Sequence, residues 1–248
     1  MSELKIGLEN ELSNVKMWLN KNKLTLNTDK TEVIFFGTKR KLKSFKDVSI
    51  NYNNIPLKSK DKVKYLGVTF ENTMSWKKHI KNLVHKSYFK LRKIRSVNSS
   101  LTDEIRHLLV NATVMPYLHY CSPAWSNASK SVLKPAEKLY DNINKFLGKS
   151  EQSLTNLLNF KSAISIFKAA HKLSPIYLSD KIKFVKNSHR TRSSINNMLV
   201  TQRSGTKFFN KTFSYSSPIL WNNLPNEIRN LESILQFKVA TSKFFKLK

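Results

Sequence analysis

Among the 248 residues only one is cysteine, Cys121. That excludes an internal disulfide and a multi-cysteine zinc site, and it suits a reducing compartment. In the apolar, aromatic run YLHYCSPAW it is expected as a small core residue rather than a nucleophile. Glycine (five) and proline (seven) are scarce, which argues against a fibrous repeat or a low-complexity chain. No uninterrupted apolar run reaches the roughly 18 residues of a membrane span. The start, MSELKIGLENEL, lacks a cationic segment followed by an apolar block, so it does not read as a signal peptide. An intracellular location is expected, with nucleus and cytoplasm left open. The motifs GxSxG, GxxxxGK[ST] and GxGxxG are absent, so a hydrolase elbow or a nucleotide loop has no support. The six histidines show no zinc spacing, and no metal site is expected. There is no Asp-Asp pair to hold two cations.

The scarcest class is acid. Sixteen Asp and Glu stand against 44 Lys and Arg, for a formal charge of +28. Such an excess makes the compact state repel itself, and it fits an anionic polymer as partner. Nucleic acid is expected ahead of an anionic membrane surface, since neither an acylation motif nor a spanning run is present. With 40% apolar residues a sizeable core is available.

Periodicity then divides the chain. Leu4, Leu8, Leu12, Val15 and Leu19 share one helical face, with Trp18 beside it. Glu32–Phe36 (EVIFF) is β-branched and aromatic and predicts a strand after the turn Asn27-Thr28-Asp29. Val48–Tyr52 and Ile55–Leu57 flank Asn53-Asn54 and predict a hairpin. Lys62–Phe70 (KVKYLGVTF) predicts a further strand, with Gly67 permitting a bulge or a close backbone approach. From Trp76 the period becomes helical: Trp76–Arg95, a helix opening at Thr102 with Asp103 and Glu104 in its first turn, Ser131–Leu147, Leu154–Leu173 and a last helix through Phe237. Lys186–Asn197 reads as a linker.

The helix Trp76–Arg95 carries the strongest chemical signal. Its apolar residues occupy a stripe roughly 100° wide. The opposite side holds Lys77, Lys78, Lys81, Lys86, Arg92 and Lys93, with Tyr88 and Phe89 among them. No acid occurs between Glu71 and Asp103. A face of one sign with an aromatic fits phosphate neutralisation and stacking; the alternatives are a solvated basic face, and aromatics packed on a neighbour. The basic loop TKRKLKSFKD admits both readings equally: contacts to a nucleic-acid backbone, or a flexible tip.

Three segments in order, LTLNTDKTEVIFFG, KVKYLGVTFENTMSWKKHI and MPYLHYCSPAW, resemble the end of the reverse transcriptase of non-LTR (LINE-like) retrotransposons. WLNKNKLTLNTDKTEVIFF is similar to the palm motif D of that family, KYLGVTF to motif E, and the helices from Trp76 to its thumb. The tail SPILWNNLPNEIRN…FKVATSKFF is similar to the ending of such elements. The resemblance implies that Lys30 corresponds to a general acid for the pyrophosphate leaving group, and that Tyr65, Leu66 and Gly67 correspond to the support of the primer end. It also implies RNA or DNA, as duplex or hybrid, for the partner.

The metal-holding aspartates of the family lie ahead of the matched segments, so the chain alone is expected to be inactive, and magnesium is expected only for a full-length enzyme. A decaying or co-opted, non-enzymatic reading frame remains the alternative. The expected fold class is α+β: a small palm-derived antiparallel sheet (1–75), a mainly helical thumb-like part (76–185), then a linker and C-terminal aromatic and helical tail (186–248).

Overall fold

The computed structural model describes residues 2–45, 48–52, 55–149, 152–185, 196–203, 205–206 and 208–247. The fold is α+β, and the chain forms two compact units, Met1–His79 and Ile80–Lys248.

In the first unit, helix α1 (Ser2–Lys21) lies on a hairpin of β1 (Ser49–Tyr52) and β2 (Ile55–Lys58), in which Ile50 pairs with Leu57. Ile50, Tyr52 and Leu57 form a small core with Leu12, Leu26, Val33 and Phe35 packed on it. The covered side of α1 is not the centre of its leucine stripe. Glu9 Oε1 accepts the Asn51 N–H at 2.8 Å, and Lys16 Nζ stands 5.9 Å from the Tyr52 ring centroid. At 100° per residue, that side is turned by about 110° from the line through Leu4, Leu8 and Val15. Those three residues are exposed, and Trp18 is 61% exposed.

The expected strand Glu32–Phe36 is corrected to one bridge. Val33 faces Ser59 in parallel, and the Lys60 N–H donates to the Val33 carbonyl at 2.7 Å. A β-branched run supplies only one half of a ladder, and no described strand runs beside the other residues. The loop after Gly37 is folded in its described part: Thr38 caps the short helix α2 (Lys39–Leu42), and the Phe45 ring lies tilted against Phe35 with centroids 5.0 Å apart. The hairpin expected around Asn53-Asn54 forms, though these two turn residues lie outside the described residues.

KVKYLGVTF is not one bulged strand. It is a hairpin of β3 (Lys62–Tyr65) and β4 (Val68–Glu71), in which Tyr65 pairs with Val68. Leu66 (φ +45°) and Gly67 (φ +84°) make the two-residue turn. Left-handed residues at both turn positions match the twist of the strands, which is why glycine serves here. The expected single sheet is therefore two separate two-stranded sheets.

Helix α3 (Lys77–Ser96) starts from β4. Glu71 Oε2 accepts from Ser75 Oγ (2.8 Å) and from the Lys78 N–H (2.9 Å), so a carboxylate sits where the helix dipole favours one. The Thr69 N–H donates to His79 Nδ1 at 3.4 Å. His79 is buried, and burial lowers its pKa.

The second unit continues through α4 (Asp103–Thr113), α5 (Met115–His119), α6 (Ser122–Trp125), α7 (Lys130–Phe146), α8 (Leu154–Ala170), α9 (Ile176–Ser179), α10 (Phe213–Asn222), α11 (Asn226–Arg229) and α12 (Ile234–Phe244). Thr102 caps α4 through its hydroxyl. Cys121 is exposed, a correction to its expected core position: the chain turns through a left-handed residue there (φ +49°) between α5 and α6, while Leu118, Ser122 and Trp125 on either side are buried. Thumb-like and tail segments share one core. Ile166 and Phe167 of α8 pack with Trp221 and Phe237, whose rings stack at 5.7 Å. Trp221 Nε1 donates to the Asn197 carbonyl at 2.9 Å, and the Asn222 side chain makes two bonds to the Leu199 backbone. Of the segment read as a linker, residues 186–195 lie outside the described ones. Among the described residues no helix is long and apolar enough to cross a membrane.

Candidate nucleic-acid interface

The sequence pattern of α3 separates its two sides cleanly. His79, Ile80, Leu83, Ser87, Leu91 and Ile94 are buried, whereas Lys77, Lys78, Lys81, His85, Lys86, Arg92 and Lys93 are exposed. Three ion pairs occur among the described residues, and none of them involves α3. At 100° per residue, Lys78, Lys81 and Arg92 fall within about 60° of one another at the centre of the exposed side. Lys77 lies on one shoulder, Lys86 and Lys93 on the other. The six cations therefore wrap half the helix, and a single flat ligand reaches the central three first.

Tyr88 does not stand free among these cations. It is half-buried, and its hydroxyl accepts from Asn142 Nδ2 of α7 at 2.9 Å. Arg95 joins the same seam: Nη2 donates to the Asn142 carbonyl at 3.0 Å, and the guanidinium carbon lies 5.2 Å from the Phe146 ring centroid. Phe89 is the open aromatic, 54% exposed, with Lys93 Nζ 4.6 Å from its centroid.

This seam joins α7 to α3 at Asn142 and Phe146, a contact the local sequence pattern missed. Lys130, Lys134, Lys138 and Lys145 are all exposed. Four-residue steps repeat every ~6 Å on nearly one line of a helix. Leu133, Ala136, Leu139 and Ile143 form the buried face of α7, and Asn142, off that face, bonds Tyr88 of α3. The α7 lysines and the Lys81–Arg92 line of α3 are thus exposed cationic faces of two helices that touch at Tyr88 and Asn142. Asp141 sits within the lysine row without an ion pair among the described residues. The lysine spacing was the available signal; the proximity was not.

The remaining candidates lie in the first unit. Lys30 ends an exposed 3-10 turn, Thr28–Lys30, and its N–H donates to Asn27 Oδ1 at 3.1 Å. Tyr65 and Leu66 form the tip of the β3–β4 hairpin, 64% and 72% exposed. A leucine at positive φ costs about 1–2 kcal/mol relative to a right-handed conformation, and here it also leaves an apolar side chain in water. A strained, exposed apolar tip is a place to look for function. Among the described residues no three His, Cys, Asp or Glu side chains group as metal ligands. Magnesium, which the resemblance assigns to aspartates outside the matched motifs, has no ligand set to be named here. No protein-family model matches the chain, nor does any curated protein or solved structure.

Proposed function

We propose that this chain is a nucleic-acid-backbone-binding part of a polymerase of the non-LTR reverse-transcriptase kind, without synthetic activity of its own. The observation that carries the reading is the one-signed exposure of two helix faces, Lys78, Lys81 and Arg92 on α3 and Lys134, Lys138 and Lys145 on α7, all outside every ion pair among the described residues. Such contacts neutralise phosphates and carry no base information, so binding is sequence-tolerant. A primer–template-like duplex or hybrid is the fitting ligand; by the resemblance, the Tyr65-Leu66-Gly67 tip of the first unit corresponds to the support of a primer end. Lys30 keeps its inherited position as a general acid, with no reaction to assist in this chain alone. Fluorescence anisotropy with mixed-sequence duplex and hybrid tests the binding. Similar affinity across unrelated sequences supports it; tight binding to one sequence only, or to anionic vesicles but not duplex, overturns it. Template-dependent primer extension by the purified chain with magnesium overturns the inactivity.

A second reading, that the chain works as one piece of a complete RNA-directed DNA polymerase, is favoured by α1. Its exposed line of Leu4, Leu8, Val15 and Trp18 is an apolar face that further palm structure would cover. Restored primer extension on adding a separately made upstream polymerase part supports this reading, and a chain that stays inert opposes it. A decaying frame without a stable fold predicts no cooperative thermal transition.

A further inference from the structure

The first unit contains a cleft of about 640 Å³ on which the α3–α7 surface makes no demand. Phe35 and Phe45 line it, half-buried and 5.0 Å apart between centroids, and Lys39, Lys43, Lys60 and Lys62 line it with exposed side chains. Asp61 and Glu71 are also in the lining, but each is already engaged. Asp61 Oδ1 accepts from Asn72 Nδ2 at 2.7 Å, and Glu71 Oε2 holds Ser75 and the start of α3. Of the four lysines, Lys60 pairs with Glu32 at 2.5 Å; Lys39, Lys43 and Lys62 are in no ion pair among the described residues. The cleft is therefore lined by exposed cations and by two half-buried aromatic rings.

We propose that this cleft binds an unpaired nucleotide of a single strand, its base against Phe35 and Phe45 and its phosphates against Lys39, Lys43 and Lys62. The volume lies within the range of small-molecule sites, about 300–1,000 Å³. An apolar ligand would leave the lysines uncontacted, and a polyanion lacking bases would leave the open part of the two rings uncontacted, although Phe35 also packs on the small core. The phosphorylated nucleoside uses both. The proposal does not depend on duplex binding by α3 and α7, because none of its residues lies on those helices.

The test is calorimetric titration of the full chain at about 0.15 M salt with a 5′-phosphorylated tetrathymidylate and with an abasic tetramer of equal phosphate count. Tetrathymidylate is expected to bind at least about fivefold more tightly, the lower end of what one stacked base contributes. The exposed double change Lys39→Glu/Lys43→Glu should weaken it by about tenfold or more. Phe45→Leu keeps apolar volume without a ring and should erase the advantage over the abasic strand. Lys81→Glu/Arg92→Glu on α3 should leave tetrathymidylate binding within about twofold while impairing duplex binding. Equal binding of the two tetramers overturns the proposal. So does absence of measurable binding, or a loss from the α3 variant as large as that from the cleft variant.

Discussion

Replacing Lys81 and Arg92 together by alanine measures the cationic surface with a known physical scale. The two are eleven positions apart, about 16 Å along the helix axis and offset by only about 20°, so they reach different phosphates. Each phosphate contact contributes about −0.9 to the slope of log K against log salt, and removing two should make that slope less negative by about 1.8. The same relation sets the affinity loss: about 60-fold at 0.1 M salt, shrinking to about ninefold at 0.3 M. Both residues are exposed and in no ion pair among the described residues, so the fold loses no described ion pair. Anisotropy with a labelled mixed-sequence duplex, repeated across salt concentrations, reads both quantities. An unchanged slope in the double variant, or wild-type binding that ignores salt, would refute phosphate neutralisation by this face.

Leu66→Asn, at the left-handed turn position, should stabilise the chain by about 1 kcal/mol because asparagine tolerates that conformation better; a lower urea midpoint contradicts it. Phe237→Ala, in the core shared by α8 and α12, should cost about 3–5 kcal/mol in the same assay, and a loss under about 1 kcal/mol would mean that core is not formed. Burial, with Lys161 nearby, lowers the His119 pKa to about 4. A folded pKa below the unfolded value of 6.5 means that its contribution is full above about 6.5 and is lost as pH falls toward about 4. His119→Gln should flatten stability over that window, and an imidazole titrating near 6.5 by NMR opposes the account. Tyr88→Phe removes only the bond to Asn142 and should cost about 1 kcal/mol of stability; duplex affinity should hold, and a large affinity loss would return Tyr88 to the binding face.

Some of this was legible residue by residue. The α3 amphipathy followed from Ile80, Leu83, Leu91 and Ile94 against an unbroken series of cations, because burial of one stripe dictates the other. The Thr102 cap was readable because its neighbours Asp103 and Glu104 belong to a first turn. Glu32–Phe36 misled because strand propensity describes one strand, while a ladder needs a second. In KYLGVTF the glycine marks a backbone irregularity, yet the paired runs KVKY and VTFE around it make a turn rather than a bulge; leucine in the preceding left-handed position hides that signal. Cys121 went outward because the break between α5 and α6, not the apolar company of the residue, sets its direction. The α7 lysines escaped since their partnership with α3 passes through Tyr88 and Asn142, 54 residues apart.

Lysine footprinting tests the central claim most directly. The full chain is acetylated briefly with and without saturating duplex, and each lysine is scored by mass spectrometry. The account predicts protection at Lys78, Lys81, Lys134, Lys138 and Lys145, with Lys5 and Lys30 unchanged. Equal modification of the α3 and α7 lysines in both states, with protection elsewhere, would contradict it.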